Sequence, residues 1–444
     1  MGALSRKCSF ATFLDPRGGR LAAAGLGALM NRLLLLGGGH AHVKVLADLA
    51  QRPLAGWAVQ LVSPYRRQIY SGMLPGWIAG HYQIDDCALS LDRLSRAAGV
   101  DFFETAGTAL DPVANTVTCA DGRTLAFDRL SIDTGPMPAL DGLPGSAAHA
   151  LPIRPIEGFV AAWPALAARI AAATVATAGA TTTGTANANA NANAAAAAAA
   201  AAAVQTTDQT TGPATAPATG FDLAILGAGA AGVELAFAIR QRAVLAGWST
   251  LRLTLVGSDD WPMAGAPQRL RRQIATRLRQ RGITWQGGRQ AVQVDADVLR
   301  FEQGAPLAFD ACLVVTGAAA PAWPRASGLA TDDAGFIRVG PTLQSLSHPH
   351  ILAAGDVAAY ADARPKSGVF AVKAGPVLAH NLRALCEGRP AQPWTPQRRA
   401  LYLISTGDRH ALASWGPFTW GGDWVWRWKD RIDRGFMRRF GGAV

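Results

Sequence analysis

Six residues, Gly227-Ala228-Gly229-Ala230-Ala231-Gly232, carry the sharpest chemical signal in the chain. They follow the apolar run Leu223 to Leu226 and open a helical stretch from Val233 to Arg242. Gly227 makes a tight turn, Gly229 lets a pyrophosphate approach the backbone, and Gly232 lets the helix pack closely on the strand. The pyrophosphate then rests at the helix N-terminus, where free N–H groups and the helix dipole favour an anion. Alone such a pattern is weak; between a strand and a helix it is strong. The next strand, Leu251 to Val256, runs into Gly257, with Asp259 and Asp260 close behind. No arginine stands immediately there to receive a 2′-phosphate, so the unit reads as a site for NADH in preference to NADPH.

A degraded copy lies upstream, Gly37-Gly38-Gly39-His40-Ala41-His42 after the strand Leu33 to Leu36. Gly37 and Gly39 keep the first two glycines, and His42 takes the third position. Ser63 stands where an acid would hold a ribose. Histidines in such a turn more often pack or hydrogen-bond than move protons, and His40 and His42 are read that way. Asp121-Gly122 between two apolar runs signals a hairpin. Each half repeats one plan of strand, glycine turn, helix, strand, hairpin and strand, closing on Thr134-Gly135 and on Thr316-Gly317. This duplication says more than either half alone. Thr134, Gly135 and Gly317 join the cofactor-binding candidates.

The chain that must position these turns has 444 residues, enough for two or three domains. Half of them are hydrophobic and 16% are charged, which excludes general disorder. The formal charge of +11 invites a nucleic-acid reading, but only five of the 42 basic residues are lysine. That points to a broad arginine bias, and no nucleic-acid module accompanies it. Cys8, Cys87, Cys119, Cys312 and Cys386 include no C-x-x-C or C-x-x-x-x-C pair. A dithiol relay and a disulfide scaffold are therefore not expected, no residue is assigned to a metal, and a reducing cytoplasm is the natural compartment. No transmembrane helix is expected. The first thirty residues read either as a targeting segment or as the product of a start codon placed too far upstream. The Thr/Ala/Asn-rich stretch from Thr181 to Thr219 reads as a flexible insertion.

Thr342 to Val357 brings a third signal, an apolar strand Ile351 to Ala354 ending in Gly355-Asp356. It resembles the flavin motif of the two-dinucleotide-domain flavoproteins, in which the aspartate holds the ribityl chain of FAD. Together with Gly37 to Leu46, Tyr70 to Tyr82, Leu151 to Phe159, Gly227 to Ala236, Ala353 to Ala358 and Ser405 to Gly416, it makes the chain resemble the pyridine nucleotide-disulfide oxidoreductase superfamily. The likeness is nearest to the type II NADH dehydrogenase branch and to the related flavoproteins sometimes fused to selenide, water dikinase. The resemblance implies an α/β fold with two Rossmann-like units, FAD on the first and NADH on the inserted second. With the N-terminal extension at 1–30 and the composition shift at 161–220, it gives a domain plan of the FAD domain at 31–160 and 326–390, the NAD(H) domain at 221–325 and a C-terminal region at 391–444. It implies hydride transfer from NADH to the flavin and then to a small-molecule acceptor, a quinone, a soluble carrier or a selenium compound.

Under the same resemblance Glu234 sits near the nicotinamide, and the Tyr70 to Pro75 loop lies near the flavin ring. Glu234 also reads as an acid complementing the dipole at a helix start. Lys366 and Lys373 follow Asp356 closely, and a cation at the flavin edge would stabilise the reduced ring; two surface lysines are the plainer reading, and Lys373 is the catalytic candidate. The Ala-Gln motif of type II dehydrogenases is replaced by Phe370-Ala371-Val372-Lys373-Ala374-Gly375, which puts quinone as acceptor in doubt. That departure and the degraded first turn motivate the alternative of a flavin-binding partner or regulatory protein with little turnover.

Trp424, Trp428, Ile432, Phe436 and Phe440 recur every four residues, with arginines on the other face. This suits an amphipathic helix lying in a membrane interface, peripheral on the inner face of the cytoplasmic membrane. It equally suits packing on the protein's own core or on a homodimer partner, and the interleaved Asp430 and Asp433 lean towards packing.

Overall fold

A computed structural model describes residues 30–178, 220–362, 366–397 and 401–441. The N-terminal extension through residue 29 and the expected flexible stretch from Thr181 to Thr219 lie outside the described residues.

Two five-stranded parallel sheets dominate the molecule. In the first the order is Ile351–Ala353, Arg129–Ile132, Asn31–Leu36, Trp57–Ser63 and Asp101–Glu104. In the second it is Leu151–Pro152, Ala311–Val314, Phe221–Leu226, Leu251–Val256 and Ile283–Gln286. The central strands Leu33 to Leu36 and Leu223 to Leu226 are continuous apolar runs because both faces of each sheet are covered.

The covering repeats as well. Helices His40–Gln51 and Gly368–Cys386 pack one face of the first sheet. The antiparallel sheet of Gly107–Asp111, Thr116–Cys119 and Thr124–Ala126 lies against the other, with the expected hairpin across Asp121-Gly122. On the second sheet the helices are Ile156–Ala178, Ala230–Ala246 and Gln268–Gln280, and the antiparallel partner spans Ala291 to Ala308. Buried Leu270, Ile274 and Leu278 show why Gln268–Gln280, so rich in arginine, still forms a core helix.

The strand Ile351–Ala353 returns to the first sheet beside Arg129–Ile132, so the second unit is inserted in the first. This is the expected α/β class with two dinucleotide-type units. Where the chain leaves and re-enters, Met137–Pro138 pairs antiparallel with Ala318–Ala319. Leu151–Pro152 already belongs to the second sheet, although the sequence reading kept residues to 160 with the first. Within the helix Ile156–Ala178, Ile156–Thr174 is long and apolar enough to cross a membrane by length and composition. Here it lays Phe159, Trp163, Leu166 and Ile170 into the core of the second unit.

The C-terminal region is a meander of Tyr402–Ser405, Ala411–Trp415 and Phe418–Gly422, followed by the helix Asp423–Gly441. Asp408 in its first turn pairs with Arg277 and Arg281 at 2.8 and 3.2 Å, fixing the meander to the second unit.

Candidate functional site

The two glycine turns share a backbone design. Gly227 has φ +115° and Gly37 has φ +97°, a region that disfavours a side chain. A Cβ on Gly227 would strike the carbonyl of Val315, and one on Gly37 the carbonyl of Asp133, so each turn presses on the last strand of its own half. Gly232 packs against the Gly227 carbonyl, where no methyl fits. Gly229 has nothing within 4 Å of its missing Cβ, leaving open space before the N-terminus of Ala230–Ala246. The second unit thus keeps the full geometry for a pyrophosphate.

The first turn is built differently. His42, wholly buried, donates from Nδ1 to the Gly37 carbonyl at 2.6 Å and accepts at Nε2 from the Ser131 hydroxyl at 2.8 Å. The imidazole therefore meets the carbonyl that Gly232 meets in the other half. Burial pushes its pKa down to about 4, so it stays neutral and structural. Asp133, the last residue before Thr134-Gly135, turns its carboxylate into the same turn. Its Oδ2 accepts from the amides of Ala41 and His42 at 2.8 and 3.1 Å. Cβ atoms on Gly39 and Gly355 would collide with this carboxylate, so both glycines make room for it. Ser63 is buried at the end of its strand next to Gly38, and its hydroxyl donates to the Tyr65 carbonyl at 3.2 Å.

Asp356 stands in the turn Gly355–Val357, directly after the returning strand. Arg154 approaches it at 3.8 Å, and burial pushes its carboxyl up against the pull of Arg154 and Lys366. Lys366 donates to the Ala358 carbonyl at 2.6 Å, with Nζ 3.7 Å from the centre of the Phe336 ring. Lys373 does not share that setting. Ala371, Ala374, Gly375 and Leu378 take the inner face of Gly368–Cys386, and this phase leaves Lys373 exposed. Thr134 is exposed, and Gly135 and Gly317 have open space at their missing Cβ atoms. Gln68 Oε1 is buried with no hydrogen-bond partner, beside His40 in the first helical turn. An unpaired acceptor there is what a ligand's donor would complete, so the first cleft fits a polar cofactor.

Near the starts of His40–Gln51 and Ala230–Ala246 lies a cluster assembled from four segments, with Asp433 buried and Tyr70, Glu234 and Lys429 half-buried. Glu234, one turn into Ala230–Ala246, accepts from the Ser405 amide at 2.9 Å. Lys429 of the C-terminal helix donates to Asp433 at 2.7 Å and to the Gly72 carbonyl at 2.6 Å. The Tyr70 hydroxyl bonds to Asp433, and its ring stacks on Phe436 at 4.5 Å. Burial pushes Glu234 up to about 7, partly opposed by Lys429. Burial works against the charge on Lys429, but Asp433 and Glu234 hold its pKa above the ordinary range. One ammonium thus serves two desolvated carboxyl groups.

Residues 31–375 match the pyridine nucleotide-disulphide oxidoreductase family. The chain belongs to that family. It is an NAD(P)H-dependent flavin oxidoreductase of two dinucleotide-type units. Among solved structures it resembles the sulfide:quinone oxidoreductase of Aquifex aeolicus at TM-score 0.69 and 16% identity, covering 93% of this chain and 92% of that one. It resembles NDH2 of Plasmodium falciparum in complex with NADH at 0.69 and 12%, covering 92% and 97%. It also resembles the ferredoxin reductase of the CYP199A2 system from Rhodopseudomonas palustris at 0.64 and 17%, covering 86% and 81%. At these identities the likeness is one of fold.

The sequence reading named Glu234 and the Tyr70 loop but missed Asp133, Lys429, Asp433 and Ser405. Two signals were available. Asp133 is an acid ending an apolar strand where the other half has Val315, and Lys429 is one of five lysines, four residues from an acid on a helix.

Proposed function

We propose that the protein oxidises NADH at the Gly227 turn and passes the electrons through FAD, held between the Gly37 turn and Asp356, to a separate small acceptor. The observation that carries this is the cluster of Tyr70, Glu234, Lys429 and Asp433, where the two dinucleotide units and the C-terminal helix meet. When bound, FAD supplies the two-electron chemistry, and the chain supplies placement and charge. Glu234, ionising near neutrality, exchanges a proton at a desolvated position, with Lys429 as its counter-charge. Asp259 and Asp260 behind the second strand support NADH over NADPH.

The cysteines support an acceptor other than a disulfide. Burial pushes Cys87, Cys312 and Cys386 up to about 12, which leaves no thiolate among them at neutral pH. Quinone, a soluble iron–sulfur carrier and a selenium compound remain the candidates. A steady-state screen of these acceptors on the purified yellow protein, with NADH and NADPH in parallel, tests the reading. NADH oxidation that depends on one acceptor supports it, and NADH left unconsumed with every acceptor goes against it.

The C-terminal helix adds a location. Lys429 and Asp433 face inward, while Trp424, Trp428 and Ile432 are exposed beside exposed Trp415 and Phe418. We infer a protein resident in the cytoplasm whose exposed aromatic face touches the inner surface of the membrane, with Arg427 and Arg431 at headgroup level. Trp424→Ser with Trp428→Ser should abolish sedimentation with anionic liposomes while NADH oxidation by a soluble acceptor persists. Equal sedimentation of the double variant would remove the membrane contact. A flavin-holding protein with little turnover is the second reading, favoured by the way His42 and Asp133 fill the first turn.

A further inference from the structure

Asp133 takes no part in the proposed hydride transfer, yet the first turn is built around it. Its carboxylate is 2% exposed and lies among Gly37, Gly39 and Gly355, each of which would clash with it or its carbonyl if it bore a side chain. Its Oδ2 takes the amides of Ala41 and His42. Those are first-turn N–H groups of His40–Gln51, of the kind a dinucleotide's pyrophosphate uses at the start of a Rossmann helix. The second unit has Val315 in the equivalent place and open space before Gly229. One protein thus presents an anion with an open helix start in one unit, and with a helix start already holding a carboxyl group in the other.

An ionised Asp133 and a pyrophosphate would set negative charges against each other in a desolvated turn. Among the described residues no lysine or arginine is placed to separate them. The carboxyl of Asp356 faces Asp133 from the turn Gly355–Val357, and the hydroxyl of Tyr360 faces it from Ala358–Tyr360. The neighbouring imidazole of His42 is neutral, with its nitrogens committed to Gly37 and Ser131. Arg154 and Lys366 act on Asp356 instead. Among the described residues no lysine or arginine pairs with Asp133.

We propose that Asp133 is a cofactor-binding residue of the first unit and that FAD binds there together with one proton, carried on the Asp133 carboxyl. The neutral carboxyl still accepts the Ala41 and His42 amides through one oxygen and offers its O–H to the ligand's phosphate through the other. The proton comes from solvent when FAD enters and returns to solvent when FAD leaves. Burial, reinforced by Asp356, pushes the Asp133 carboxyl up to about 7, which puts the exchange in an accessible range.

The inference rests on FAD being the ligand of the first unit. Its test therefore starts from protein that purifies yellow, and colourless protein would count against the proposed function instead. The holoprotein is diluted at a series of pH values, and released flavin is read by its fluorescence. The dissociation constant should rise roughly tenfold per pH unit on the alkaline side. Release above neutrality should liberate about one proton per flavin, read with an indicator in weak buffer. Asp133→Asn should hold FAD equally at all these pH values, whereas Asp356→Asn should keep the slope. A flat profile and no proton release from the wild type would overturn the proposal, even if Asp133→Asn fails to fold. So would an Asp133→Asn protein that keeps the wild-type slope.

Discussion

At the residue scale the two glycine turns solve one problem in two ways. Gly232 has no substitute, because a methyl there would enter the Gly227 carbonyl. Gly232→Ala should raise KM for NADH by roughly tenfold or more while the flavin stays bound, since a shift at the turn misplaces the pyrophosphate. Steady-state kinetics and the flavin spectrum check both parts. In the other half, His42 does by hydrogen bonds what glycine does by absence. The sequence reading recognised the departure at residue 42, but spacing does not show which carbonyl an imidazole will meet.

Glu234 carries a residue-scale prediction about pH. Its carboxyl ionises near 7 in the folded protein and at its ordinary value of 4.5 when unfolded. Between those values the native state holds a proton that the unfolded chain has released, so stability falls as pH rises through this window. Glu234→Gln removes that contribution. Thermal unfolding should show the variant gaining on the wild type between about pH 5 and pH 7.5. A constant difference across that range would mean that Glu234 titrates normally.

At the scale of elements, the C-terminal helix was legible as amphipathic, but its orientation was not. Periodicity gives a stripe, and the stripe here divides: Phe436 and Phe440 pack on the first unit, while Trp424, Trp428 and Ile432 stay outside. What decides this is the buried Lys429–Asp433 pair, which fixes the helix over Gly72 and Tyr70. Lys429→Ala strands Asp433 and Glu234 without their cation and should cost about 3–5 kcal/mol in urea unfolding. Lys373→Ala, on the exposed face of its helix, should stay within about 0.5 kcal/mol of the wild type. Lys373 follows Asp356 closely in sequence, but only the phase of its helix shows that it lies on the exposed face.

At the scale of the whole molecule, duplication was the strongest sequence signal, and the two sheets repeat each other strand for strand. The continuous apolar runs at Leu33 to Leu36 and Leu223 to Leu226 read as parallel strands because each is short and runs straight into a glycine turn. Contacts between the halves were not legible, since they depend on side chains distant in sequence. Within the first unit, too, Asp133 meets Gly355 only because the strand that follows the insertion returns beside Arg129–Ile132, and Glu234 meets Ser405 only where the C-terminal meander packs on the second unit.

The proposed hydride transfer requires the nicotinamide held by one unit to reach the flavin held by the other near Glu234 and Tyr70. Anaerobic stopped-flow mixing of the yellow protein with NADH measures this directly. The flavin absorbance should bleach rapidly, and more slowly when the transferable hydrogen of NADH is replaced by deuterium. Absorbance that stays unchanged with saturating NADH would contradict hydride transfer to the flavin.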